Sequence, residues 1–305
     1  MINVYACGGA GGNIGKQIKN LDMDVFFIDT SNSNLKDIKT DNVYLVEGMD
    51  GAGKRRATTY EGFKGLAEEV LIRFKPSTDL NIVVSSLSGG SGSILSPLLV
   101  KELIANGSNT IVIGVDSRSS VIEIDNTIST LKTFKSISDA VDKCISLFYV
   151  ENSSRKEADK QAINLLELLA LLVNKELTEE FDTSDVHNFI NYDKVTDNEP
   201  GVAILEVNAN ETILPEKGTT IVSTVLLTKD TGANINPAIP EYLATCIVTD
   251  PNYSLADIRM DNVLGKLVHL VKDLEEQSKE LKDNKRINKH QSLDVDNANS
   301  DGIVL

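Results

Sequence analysis

Twice in its first hundred residues the chain runs a short apolar, β-branched stretch straight into glycines. "INVYAC" (2–7) meets "GGAGGNIG" (8–15), and "NIVVSSL" (81–87) meets "SGGSGS" (88–93). Runs of this kind, bounded by turn residues, read as strands buried on both faces. A helical stretch, "ILSPLLVKELIANG", follows the second of them. "VFFID" (25–29), "NVYLVEG" (42–48), "NTIVIGVDS" and "CISLFYVEN" add strands, the last two near 110–116 and 144–151. Strands alternating with helices in this way predict an α/β fold with a Rossmann-like parallel sheet covered on both faces. In such a sheet all strand-to-helix turns lie on one side, where α/β folds bind ligands.

A third glycine segment sits in "GMDGAGKR" (48–55). It is one residue away from the phosphate-binding pattern G-x-x-x-x-G-K-[ST]. Gly48, Gly53 and Lys54 fit, but Arg55 stands where a hydroxyl would ligate Mg²⁺. Glycines let backbone N–H groups approach an anion, and a helix N-terminus behind them adds a favourable dipole. Three such loops on one side of one sheet point to a phosphate site. A dinucleotide fingerprint needs G-x-G-x-x-G, and "GGAGGNIG" offers only Ala10, Gly12 and Gly15 in that spacing. Asp29 stands at the end of the second strand, at a suitable distance for a ribose carboxylate. An NAD(P)-binding Rossmann oxidoreductase therefore stays open on these residues, although it gives the other two loops no task.

Beyond residue 154 the pattern changes. "RKEADKQAINLLELLALLVNKELTEEF" (155–181) reads as a helix of roughly 35–40 Å. Its leucines leave no polar stripe along the middle, so burial along much of its length is expected. "GVAILEVN" (201–208), "TTIVSTVLLTK" (219–229) and "LATCIVTD" (243–250) then give strands with few helices between them. From about Asp261 a charged helix follows, and the end, "QSLDVDNANSDGIVL", is acidic and low in apolar content. The division expected is a nucleotide domain over 1–154, a central helix over 155–181 and a smaller sheet-containing α+β unit over 182–258. A C-terminal helix over 259–288 and a flexible acidic tail over 289–305 complete it.

Composition excludes several classes. Cys7, Cys144 and Cys246 form no C-x-x-C pair, and three histidines leave little for a metal site or a Ser-His-Asp triad. A net charge of −15 argues against wrapping nucleic acid, whose binding is driven by Lys and Arg. No apolar run is long enough to span a bilayer. The first residues lack a basic, cleavable leader, which suggests a cytoplasmic protein.

At this point the residues carry a resemblance. "SLSGGSGS" resembles the tubulin/FtsZ signature, with Ser91 in place of its threonine and Ile94 in place of its last glycine. "GGAGGNI" resembles the first glycine loop of that superfamily, and "DGAGK" the loop it sets near the γ-phosphate. The resemblance implies that GTP or GDP, with Mg²⁺, is held by Gly9, Ala10, Gly11, Gly12 and Asn13 of the first loop. The other two loops would add Gly51, Ala52 and Gly53, and Ser88, Gly89, Gly90, Ser91, Gly92 and Ser93. "FYVENSS" matches the segment that supplies an asparagine near base and sugar, which falls on Asn152. Asn164, early on the central helix, matches the guanine-binding position. "SSVIEIDNT" falls at the ribose loop and makes Asp125 a candidate. Lys54, Arg55 and Arg56 are open between nucleotide and lattice.

"EFDTSDV" (180–186) resembles the superfamily's activating loop and sets Asp182 and Asp185 on its two carboxylates. Read alone, Asp182 followed three residues later by Asp185 is also a helix N-cap signature. The two roles are compatible. The resemblance implies a GTPase that stacks head to tail into filaments, hydrolysing GTP where one subunit's aspartates reach the next subunit's nucleotide. A non-catalytic, nucleotide-gated scaffold is a third reading, which the paired aspartates oppose. "SGGSGS", "YVENSS", "AINLL" and "NF-x-x-x-DKVT" look most like the tubulins encoded by large bacteriophages. That group implies a spindle-like filament positioning phage DNA in the cytoplasm of an infected bacterium. It also implies a tail, tipped by Ile303, Val304 and Leu305 beside Asp294, Asp296 and Asp301, that docks on the neighbouring subunit.

Overall fold

Alternation with a period of two decides which side of the sheet each strand residue serves. In β1 (Ile2–Cys7), Ile2 and Val4 pack to one side, Tyr5 and Cys7 to the other. β4 (Leu80–Ser86) sends Leu80, Ile82 and Val84 to the first side and Val83 to the second. The same division continues through β5 (Thr110–Asp116) and β6 (Ile145–Glu151). Both faces are therefore apolar and both must be covered. The structure is a computed structural model, and it describes residues 1–19, 22–56, 63, 65–152, 154–173, 182–209, 221–228, 241–247, 255–261 and 263–298.

With β2 (Met23–Asp29), β3 (Val43–Leu45) and β7 (Val202–Ala209), these strands pair in the order β3-β2-β1-β4-β5-β6-β7, every pair parallel. The Ile2/Val4 face is covered by α1 (Gly8–Gly15), α6 (Arg155–Val173) and α7 (Thr183–Ile190). The opposite face takes α3 (Leu66–Arg73), α4 (Gly92–Ala105), α5 (Val121–Val141) and α8 (Val263–Ala298). A short helix, α2 (Asn32–Leu35), follows β2. The α/β class and the parallel sheet expected from the strand pattern are present.

Three features differ from the sequence reading. First, the C-terminal strands do not stand apart. β8 (Ile221–Thr228), β9 (Tyr242–Ile247) and β10 (Leu255–Asp261) extend the same ladder, in the order β7-β10-β8-β9, through the boundary placed at residue 182. β10 occupies residues the sequence reading left without a strand, although Ala256, Ile258 and Met260 alternate there with Asp257, Arg259 and Asp261. Second, α6 does carry a polar stripe. Gln161, Asn164 and Glu167 are exposed while Ala158, Ala162, Leu165, Leu166, Leu169 and Leu172 are buried, so the helix is amphipathic with a wide apolar face. Third, α8 continues to Ala298, into the segment read as tail. Residues 174–181, which complete the expected central helix, and 299–305, with Asp301, Ile303, Val304 and Leu305, lie outside the described residues.

Candidate functional site

Because the seven strands are parallel, their C-terminal ends meet on one side. There a cavity of about 560 Å³ opens, within the range of small-molecule sites. Its floor is made where β1 turns directly into α1 and where "SLSGGSG" leads from β4 into α4. Neither helix start is capped by a side chain: Cys7 before α1 and Ser91 before α4 make no cap hydrogen bond. The first turns of two helices thus keep backbone N–H groups available at the cavity, an arrangement that favours an anion.

The three glycine loops hold one another. A Cβ on Gly90 would sit 2.5 Å from the Ala52 Cβ and 3.1 Å from the Lys54 amide nitrogen, so the second and third loops touch backbone to backbone. Asn126, on α5, donates through Nδ2 to the carbonyls of both Lys54 (3.1 Å) and Ser88 (3.0 Å). Thr30 and Ser91 share a 2.6 Å hydroxyl hydrogen bond, and the Gly51 amide donates to the Thr30 carbonyl at 3.2 Å.

Of the residues singled out in the sequence, Gly9, Ala10, Asn13, Gly51, Ala52, Gly53, Ser88, Gly89, Gly90, Ser91, Gly92 and Asn152 line the cavity. Five others do not. Gly11 faces the sheet, where a Cβ would come within 2.3 Å of the Val84 carbonyl oxygen; it lets α1 lie against β4. Gly12 is buried on the same helix. Ser93 turns inward, donating to the carbonyls of Gly89 (2.5 Å) and Gly90 (3.1 Å). Asn164 lies on the exposed stripe of α6. Asp125 points away to α8, accepting from Ser278 Oγ at 2.7 Å and pairing with Lys282 at 3.1 Å.

Residues not selected from the sequence take their places. Arg155 and Asp159, from the first turns of α6, line the cavity beside Asn152, and Glu123 lines it from the start of α5. Lys54, held at φ 60°, donates to Glu123 Oε1 at 2.7 Å. Burial alone pushes the Glu123 carboxyl up, but hydrogen bonds from Lys54 and Ser120 outweigh it and hold it below the usual carboxylate range. A signal for Glu123 was present: Ser120 followed by Glu123 is a capping box pattern, and the Ser120 hydroxyl does accept from the Glu123 amide. Arg56 is turned away, donating to Thr133 Oγ1 at 2.7 Å.

Asp29 answers the dinucleotide alternative. Its Oδ1 accepts from the amides of Thr30 (2.7 Å) and Ser31 (3.1 Å), and its Oδ2 from Asn34 Nδ2 (2.9 Å). Asp29 lines the cavity, but both oxygens of its carboxylate already accept hydrogen bonds from its own loop.

Asp182 and Asp185 sit at the other end of the sheet. Thr183 Oγ1 donates to Asp79 Oδ1 at 3.4 Å, just before β4, and His187 Nδ1 lies 2.9 Å from Asn109 Oδ1, just before β5. The length of a seven-residue strand, roughly 20 Å, separates them from the cavity. The helix-cap reading is realised in full. Asp182 Oδ1 accepts from the amides of Ser184 (2.7 Å) and Asp185 (3.1 Å), and Asp185 Oδ2 accepts from the Asp182 amide (3.1 Å). Among the described residues no three His, Cys, Asp or Glu side chains gather to hold a metal ion, and no helix is long and apolar enough to cross a membrane.

A seven-stranded parallel sheet, three interlocked glycine loops at one end and an acidic helix start at the other define a class of fold, that of the tubulin/FtsZ superfamily, to which this chain is similar. Within that class it is similar to the phage tubulins. It is 35% identical over 196 residues to the phage tubulin-like protein of Pseudomonas phage PhiPA3, a match covering 63% of this chain and 61% of that protein, about three-fifths of its length. Among solved structures it resembles a protofilament of TubZ from bacteriophage PhiKZ (TM-score 0.84, 27% identity, 93% of this chain and 92% of that one). It shares its fold with the phage tubulin PhuZ bound to GDP (TM-score 0.85, 24% identity, 93% and 92% covered). No family model matches the chain.

Proposed function

We propose that this chain is a GTPase that assembles head to tail into filaments and hydrolyses GTP between subunits. One observation carries the reading. The anion-receiving cavity and the paired aspartates stand at opposite ends of the same strands, so one copy cannot close the site and two stacked copies can. Such a contact repeats without closing on itself and gives a filament. The protofilament known for the PhiKZ relative supports it.

The phosphates are cradled by backbone amides at Gly9 and Ala10, at Gly51–Gly53 and at Gly89–Gly90. Asn152, Arg155 and Asp159 face the sugar and base. A carboxylate at Asp159 can accept from both N1–H and the exocyclic amine of guanine, which adenine cannot offer, and so selects GTP over ATP. Mg²⁺ would be held chiefly by the phosphates and water, as it commonly is, and supplies charge neutralisation when bound.

An aspartate from the adjoining subunit accepts a hydrogen bond from the attacking water and orients it. The water oxygen bonds to the γ-phosphorus as the bond to the bridging oxygen breaks, the electron pair leaving on GDP. Backbone dipoles stabilise the charge that develops. The similarity to phage tubulins further suggests a filament acting on phage DNA in the cytoplasm of an infected bacterium, with the acidic C-terminal segment docking on a neighbouring subunit.

The test is phosphate release from GTP and from ATP over a series of protein concentrations, with light scattering recorded in parallel. GTP turnover and scattering should appear above one shared threshold. Turnover strictly proportional to protein would sink the shared site.

A further inference from the structure

The wall of the cavity that runs from Val115 to Glu123 is held from behind. Val115, Ser117 and Glu123 line the cavity, while Asp116, between the first two, is fully buried. Its Oδ1 accepts from Thr127 Oγ1 at 2.6 Å, and its Oδ2 from Arg118 Nε at 3.0 Å and from the Tyr149 hydroxyl. Its carbonyl accepts from the amide of Asn152, another cavity residue, at 3.0 Å. Burial pushes the Tyr149 phenol up, and the Asp116 carboxylate adds to it, so the phenol stays protonated and donates.

Arg118 carries this bracket across to α8. Its Nη2 donates to the Tyr149 hydroxyl at 3.2 Å and pairs with Glu151 at 3.3 Å, and its Nη1 donates to Gln277 Oε1, on α8, at 3.4 Å. Two residues after Glu123, Asp125 accepts from Ser278 Oγ at 2.7 Å and pairs with Lys282 at 3.1 Å. Further along α5, Lys132 pairs with Glu275 at 2.7 Å. Leu267, Leu270, Val271, Leu274 and Leu281 recur at helical spacing and pack into the core of that face. The polar part of the α8 seam therefore grips residues that alternate with cavity residues. Groups one or two positions apart lie within about 7 Å along the chain, so a shift of α8 is a shift of the wall.

Resting on the reading that the cavity takes a guanine nucleotide, we infer that α8 belongs to the nucleotide site without touching it. Arg118 and Asp125 are positioning residues. Through them the docked helix sets the Val115–Glu123 wall, and a bound nucleotide, by fixing that wall, holds the helix down. Such linkage is reciprocal: nucleotide affinity and the docking of α8 change by the same factor. It also gives Asp125 a task, although its side chain turns away from the cavity.

Full-length chains are titrated with GDP below the concentration at which they scatter light, and amide exchange over residues 266–285 is followed with and without it. In Lys282→Glu the new carboxylate repels Asp125. GDP affinity should fall about fivefold, the lower end of coupling between linked sites, and exchange in α8 should quicken. Adding Asp125→Lys restores the pair in reverse and should return both readings to within twofold of the parent. Neither residue lines the cavity, so loss and rescue pass through α8. Leu274→Asp, a charge at a fully buried position, should release the helix and lower affinity at least tenfold. In the parent, saturating GDP should slow α8 exchange about fivefold. α3, on the same face but with no hydrogen bond or ion pair to residues 115–125 among the described residues, should change less than twofold.

Unchanged affinity in a variant whose α8 exchanges freely overturns the inference. So does a loss in Lys282→Glu that the charge swap fails to restore, or protection by GDP as strong in α3 as in α8, which marks a fold stabilised as a whole. Should the charge reversal leave α8 docked, Leu274→Asp decides; should Leu274→Asp fail to fold, the reversal and its rescue decide. If the parent binds no GDP, the nucleotide reading falls and takes this inference with it. If the parent binds GDP and α8 does not respond, this inference alone falls.

Discussion

The two ends of the sheet do different work with different materials. The cavity end is floored by backbone, with glycine loops pressed together and two helix starts without side-chain caps, and charged side chains such as Lys54, Glu123, Arg155 and Asp159 stand around it. The α7 end is built from side chains, with two carboxylates, a phenol and a histidine anchored to the first residues of the strands. Backbone sites tolerate no extra atom, because the atoms that bind are the atoms that pack. Side-chain sites tolerate exchange of shape for charge, because a cap needs only an oxygen while chemistry needs its ionisation.

Five substitutions test that contrast. Gly90→Val, at the cavity end, forces a side chain into the Ala52 Cβ and the Lys54 amide. It should abolish GTP binding, a loss of at least a hundredfold by titration, while secondary structure by circular dichroism is kept. A variant that still bound GTP would mean that the loops need not touch. Gly11→Ala, whose new methyl would meet the Val84 carbonyl, should cost about 2–3 kcal/mol in urea unfolding and lower GTP affinity only through stability.

Asp182→Ala, at the other end, should cost about 1 kcal/mol by loss of the N-cap, with GTP affinity unchanged. Asp182→Asn should restore the stability. Smallest is the effect of pH on the Lys54–Glu123 pair. Glu123 has its folded pKa depressed, so the pair's contribution is present above the ordinary glutamate value of about 4.3 and is lost as pH falls through the lower folded value. Lys54→Met should lower stability slightly at neutral pH, where the pair contributes, and flatten the fall in stability below about pH 4.5, as read from unfolding midpoints across pH.

What the sequence made legible follows the same division. β-branched runs ending in glycine announce themselves, and so do a cap residue and an acid three positions later. Side chains on a helix are harder to place, because one turn decides the face. Asn164 was chosen from the resemblance and lies on the outer stripe of α6, whereas Asp159, earlier on the same helix, reaches the cavity. Asp125 and Glu123 are two residues apart on α5 and face α8 and the cavity respectively. The contact between Tyr242 and Asp185 joins distant segments, and no local pattern could reveal it. β10 alternates, with Ala256, Ile258 and Met260 between Asp257, Arg259 and Asp261, but three charges in seven residues give little apolar signal for a strand that is paired on both sides.

The place of β10 has a consequence for how the molecule is made. It lies between β7 and β8 although it is the last of the described strands along the chain, so among the described residues β8 and β9 join the main sheet through it alone. A chain emerging from the ribosome can complete the cavity end as its first strands and helices appear. It must then wait some seconds, at roughly 5–20 residues per second, before residues 255–261 arrive to close the ladder. During that interval β7, an apolar strand already paired with β6 on one side, offers an open edge to any neighbouring chain. Newly made copies are thus most exposed to misassembly just before the acidic end is finished, when the half that forms the cavity already exists.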